Sequence, residues 1–73
     1  MILCQITSQE RHDPDTVSLT PRDFTSGGLD RPSFARAARL FTADRSLILT
    51  RIGSLRPEVM RSVTEKIIHV LTR

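Results

Sequence analysis

Cysteine, tyrosine, tryptophan and lysine are almost absent from this chain. Cys4 is the lone cysteine, Lys66 the lone lysine, and Phe24, Phe34 and Phe41 are the only aromatic side chains. A single thiol excludes an internal disulfide. His12 and His69 lie far apart without companion thiols, so no metal-ligand spacing is present and neither metal nor cofactor is expected. Cys4 sits among Ile2, Leu3 and Ile6 and reads as a small buried hydrophobe more readily than as a reactive thiol. No apolar run approaches the length of a membrane span. The short apolar stretch at the N-terminus lacks the basic leader and small-residue cleavage site of a signal peptide. A reducing cytoplasm is the expected compartment, with no membrane partner. Internal repeats and low-complexity tracts are missing too.

What is present is short and basic. Seventy-three residues allow one small domain. A chain of this length buries only about 60% of the surface that its unfolded form exposes, so a partner or staple is often needed. The formal charge is +3, and every one of the eleven basic residues except Lys66 is arginine. Arginine is planar and bidentate toward phosphate, which suits a nucleic-acid surface. Codon bias in a GC-rich genome gives the same enrichment. The arginines at 22, 31, 36, 39 and 51 are scattered, and they read more readily as a solvated surface than as an RNA groove.

Periodicity supplies the elements. Ile2 to Ser8 opens the chain as a strand, with Ile2, Cys4 and Ile6 on an apolar face and Leu3, Gln5 and Thr7 on a mixed one. Asp13-Pro14-Asp15 is a turn by its chemistry. Thr16 to Thr20 alternates as a half-buried strand, with Val17 and Leu19 inward. Thr20 to Phe24 reads as a turn or a single helical turn, capped by Thr20 with Pro21 at its first position. Ser26-Gly27-Gly28 breaks the pattern and supplies positive-φ positions.

Two segments carry conflicting signals. From Ser33 to Thr42, Phe34, Leu40 and Phe41 are the bulky anchors of a strand containing a bulge or bend. Ala35, Ala37 and Ala38 favour a helix by propensity, and both readings stay open. After a turn at Asp44-Arg45, Ser46 to Ile52 is the strongest β run of the chain, ended by Gly53. A helix then runs from Pro57 to Leu71. Val59, Met60, Val63, Ile67, Val70 and Leu71 form its apolar stripe, and Arg56 occupies the capping position that Ser or Asp usually fills.

Taken in order, Ile6-Thr7-Ser8, Asp23-Phe24, Gly27-Gly28-Leu29, Pro32-Ser33-Phe34, Leu40-Phe41-Thr42, Arg45-Ser46-Leu47 and Ile52-Gly53-Ser54-Leu55 resemble the MazF/PemK family of type II toxins. The resemblance runs through nearly the whole chain. It implies a mainly β fold with a C-terminal α-helix, an SH3-like small barrel of the MazF/PemK/CcdB type. It also implies dimerisation, metal-free cleavage of single-stranded RNA, and inhibition by a cognate antitoxin. The catalytic threonine of such a site corresponds to Thr7, with Ser8 beside it.

The family's catalytic arginine belongs to an Arg-Pro-Ala-Leu-Val-like block for which these residues have no counterpart. Ala38-Arg39 also departs from the acidic residue commonly found there. The chain, residues 1–73, is therefore expected to be a single partial domain with an incomplete barrel. It should be inactive alone, binding RNA weakly, with Ser8, Arg36 and Arg39 as candidate RNA contacts. Two alternatives stay open: a non-catalytic remnant that binds antitoxin or dimerises, and a gene fragment with a misplaced start codon.

Overall fold

The computed structural model describes residues 1–10 and 13–73, so the expectation about His12 lies outside the described residues. Five strands and one α-helix follow in order: β1 (Ile2–Thr7), β2 (Thr16–Leu19), β3 (Phe24–Gly27), β4 (Ser33–Thr42), β5 (Gly53–Leu55) and α1 (Pro57–Thr72). They form a three-stranded antiparallel sheet in the order β1-β4-β2 and a separate β3-β5 pair. The fold is mainly β with one C-terminal helix, and the described strands do not close a barrel. No helix among the described residues is long and apolar enough to cross a membrane.

β4 is the centre of the larger sheet, and the run between Ser33 and Thr42 is a strand. Its helix-forming alanines are held extended by two neighbours. Gln5, Ile6 and Thr7 of β1 pair with Arg36, Ala35 and Phe34, while Thr16, Val17, Ser18 and Leu19 of β2 pair with Arg36, Ala35, Phe34 and Ser33. The anticipated bulge lies between the partners of Cys4 and Gln5. Cys4 opposes Leu40 whereas Gln5 opposes Arg36, which leaves Ala37, Ala38 and Arg39 without partners on β1.

Small side chains, not the phenylalanines, face the core. Ala35, Ala37 and Ser33 are buried, whereas Phe34 is half-buried and Phe41 exposed. Leu19, Ala35 and Val63 form the core cluster, with Cys4, Val17, Leu55, Val59 and Ile67 packed around it. A crevice of about 210 Å³ persists between Cys4, Ile6, Leu19 and Ala35 of the sheet and Met60, Val63 and Ile67 of the helix. The helix stripe is narrower than its sequence period implies: Val59, Val63, Ile67 and Val70 turn inward, but Met60 and Leu71 stay exposed.

The strongest β run does not become a strand. Arg45–Leu47 is a 3-10 turn, residues 48–52 are irregular and exposed, and Gly53 begins β5 instead of ending a strand. Among the described residues no strand pairs with residues 46–52, of which the Ile52 carbonyl accepts the Gly28 N–H at 2.9 Å, and β-propensity without a partner strand confers no ladder. β3, in turn, incorporates the Phe24–Gly27 segment that reads as turn and breaker in the sequence. Gly27 (φ 61°) is its last residue and Gly28 (φ 140°) leaves it. A Cβ on Gly27 would collide with the Ile52 carbonyl, so glycine is what permits β3 and β5 to cross this closely.

The ends of the elements are tied by polar contacts. In the Pro21–Asp23 3-10 turn, the Asp23 carboxylate accepts from the Thr20 N–H at 2.7 Å and from the Thr20 hydroxyl at 3.2 Å. Arg56 does not cap α1 with its side chain. Its Nε donates to the Arg22 carbonyl at 2.7 Å and its N–H to the Asp23 carbonyl at 2.7 Å, fastening the helix start to that turn. At the other end Arg73 grips buried Asp15 through two contacts, of 2.9 and 3.1 Å.

Candidate functional site

Antiparallel pairing decides what surrounds Thr7. Thr7 is the last residue of β1 and pairs with Phe34, the second residue of β4. The segment leading into β4 is thereby brought beside the end of β1. The result is a hollow of about 300 Å³ lined by Thr7, Ser8, Asp30 and Arg31, with Leu29 and Ile6 as its apolar wall. The Ser33 hydroxyl donates to the Arg31 carbonyl at 3.1 Å and so fixes the backbone at the rim. Pro32 between them limits that segment further.

Donors dominate the hollow. The Thr7 hydroxyl oxygen accepts the Gln9 N–H at 3.2 Å, which occupies a lone pair and leaves the hydroxyl proton free to donate. Ser8 is exposed beside it. The Arg31 guanidinium adds a fixed positive charge and Asp30 a carboxylate acceptor. Such a set can bind a phosphate oxygen and stabilise charge that develops on it.

The two candidate arginines lie elsewhere. Arg36 shares the mixed sheet face with Thr7, one diagonal step away, which places their Cβ atoms roughly 7–8 Å apart in regular sheet geometry. Its guanidinium, however, donates from Nη1 to the Gln5 Oε1 at 3.2 Å, and its Nε is buried with no partner among the described residues. Arg39 belongs to the bulge and lines a different hollow, of about 510 Å³, with Gln5, Ala38, Leu40 and Phe41. Thr7 and Ser8 therefore line one hollow, whereas Arg36 is turned to Gln5 and Arg39 lines another.

Arg31 is the residue that the linear pattern passes over, grouped there with the solvated arginines. The signal that finds it is register. Once Ile2–Ser8 is paired antiparallel with the strand after Pro32, the residues preceding Ser33 must sit at the Thr7 end.

Cys4 lies behind the site, facing the core. Burial pushes its thiol above the ordinary value of 9.0, opposed in part by its contact with the Arg36 backbone. At 3.2 Å the thiol also reaches the Arg36 carbonyl. A neutral, half-buried thiol is an inert packing group.

A larger and more apolar groove, about 730 Å³, is lined by Phe24, Leu29, Ile52, Leu55 and Met60 with Arg51 at its edge. It holds one charged side chain, Arg51, and no acid–base pair. No group of three or more His, Cys, Asp or Glu side chains among the described residues is placed to hold a metal ion.

Comparison with known families gives a match. The model of PemK-like, MazF-like toxins of type II toxin–antitoxin systems matches residues 1–71. No curated protein sequence matches the chain.

Proposed function

This chain belongs to the PemK-like, MazF-like family of type II toxin–antitoxin toxins, and from that premise we propose that it is an endoribonuclease-type toxin acting on single-stranded RNA at Thr7. The observation that carries this reading is the family match across nearly the whole chain, with Thr7 and Ser8 placed at a donor-rich hollow.

In the reaction proposed, the ribose 2′-hydroxyl attacks the adjacent phosphorus. The 2′-proton passes to a base, the bond to the 5′-oxygen breaks, and that oxygen is protonated as it leaves. The Thr7 hydroxyl donates a hydrogen bond to a phosphate oxygen as negative charge grows there. The remaining transfers require the arginine of the family-like block, and no such block occurs in these 73 residues.

The 73 residues thus act as a partial SH3-like domain that binds RNA weakly and does not cleave it alone. They work in the cytoplasm and self-associate through the uncovered apolar edge of β1. A cognate antitoxin is the regulating partner. Incubating the purified chain with single-stranded RNA, with and without magnesium, tests this. Background cleavage is expected, rising when an N-terminal segment carrying the arginine is supplied as a fusion or peptide. Cleavage that stays at background with the segment supplied would refute the nuclease reading.

One set of observations favours a second reading, that of a module which only binds antitoxin or a second copy. The apolar groove of about 730 Å³ lies open, and Ile2 and Ile6 on β1 are 72% and 49% exposed.

A further inference from the structure

We propose that Arg31 is the arginine with which this chain grips a phosphodiester of single-stranded RNA, together with the hydroxyls of Thr7 and Ser8. The proposal rests on the RNA reading above and assigns the group that supplies its charge. Three observations select Arg31 from among the arginines. It lines the same hollow as Thr7 and Ser8, whereas Arg36 is turned to Gln5 and Arg39 faces another depression. It forms no ion pair among the described residues, so its guanidinium is available to a ligand. Its backbone is pinned by the Ser33 hydroxyl at 3.1 Å and followed by Pro32, so the side chain departs from a fixed point.

The chemistry of the hollow defines the ligand. A guanidinium presents two parallel N–H donors to a phosphate, and a hydroxyl whose lone pair is already engaged supplies a third. An anion with several acceptor oxygens satisfies all three. A volume of about 300 Å³ admits one sugar–phosphate unit of an extended strand. Asp30 on the same rim opposes that anion. Its carboxylate sets an upper limit on affinity, and removing its charge should strengthen binding.

The test is fluorescence anisotropy with the full chain and a short labelled single-stranded oligoribonucleotide, across a range of salt concentrations. Arg31→Gln is expected to weaken binding about tenfold and to lower the salt slope by about one phosphate contact. Arg61→Gln, on an exposed face of α1, should stay within twofold of the unsubstituted chain, and Asp30→Asn should bind more tightly. Circular dichroism checks folding. If Arg31→Gln does not fold, Arg31→Lys and Asp30→Asn carry the test: intermediate and tighter binding, respectively, support the proposal, and no change in either overturns it. Binding by Arg31→Gln equal to that of Arg61→Gln overturns the role of Arg31 and leaves the RNA reading intact. No salt-dependent binding by the unsubstituted chain overturns the RNA reading and this assignment together.

Discussion

β4 and the segment that follows it are neighbours in the chain with opposite surroundings. Phe34, Ala35 and Arg36 have a partner strand on each side, and Ala35 is buried against Leu19 and Val63. Residues 48–52 have no partner strand among the described residues, and Leu49 is 96% exposed. Yet β4 is rich in alanine, a helix former, whereas Ser46–Ile52 is rich in the residues that strands prefer. The difference teaches that pairing and burial, not intrinsic preference, set the backbone here. It also accounts for the apolar surface this molecule displays: a run suited to a strand remains uncovered.

The largest effects should separate these two regions. Leu19→Ala removes a large, fully buried side chain, at 1% exposure. Such a truncation costs about 2–5 kcal/mol, comparable with the whole stability of a chain this small. Urea unfolding should lose its cooperative transition. Leu49→Ala, by contrast, should change stability by less than about 0.5 kcal/mol. Equal losses in the two variants would erase the distinction.

Gly27→Ala comes next. A side chain at positive φ, with the Ile52 carbonyl in its path, should cost about 2 kcal/mol by the same measurement. The loss should be accompanied by release of β5, visible as faster amide exchange at Gly53–Leu55. A smaller loss is expected from Asp15→Asn, which weakens the tie between β2 and the end of α1. Arg73 is half exposed, so the pair is partly screened and about 1 kcal/mol is at stake. A further small effect has the opposite sign. Ala35→Val fills part of the crevice between sheet and helix with a better strand former, and should raise stability by about 0.5–1 kcal/mol.

The termini of β1, β2 and α1 were legible because each has a local cause. Ile2-Cys4-Ile6 and Val17-Leu19 alternate, Asp13-Pro14-Asp15 turns, and Pro57 opens a stripe repeating at helical spacing. The fate of Ser46–Ile52 was not legible, because it depends on whether another strand is present to pair with it. The apolar anchors of β4 were misjudged for a related reason. The register on β1 and β2 turns Ala35 and Ala37 inward and leaves Phe41 outside, and no local pattern announces that register. At the candidate site, Thr7 and Ser8 were legible through their resemblance to a motif. Arg31 becomes visible only when the pairing of Thr7 with Phe34 is known.

The exposed edge gives a further contrast. Ile2 and Ile6 on β1 lack cover, and edge strands of this kind pair with further copies. Sedimentation should show self-association that Ile2→Lys reduces and Leu49→Lys does not. A stable monomer at micromolar concentration would contradict the role given to this edge.

Cleavage by the chain supplied with the arginine-bearing segment, with and without Thr7→Ala, tests the assignment of the site most directly. Removing a group that donates to the phosphate as charge develops should lower the rate about 10²–10³-fold. Thr7→Ser, which keeps the hydroxyl, should retain most of it. The account requires activity that collapses in Thr7→Ala and survives in Thr7→Ser. Undiminished cleavage by Thr7→Ala would contradict it.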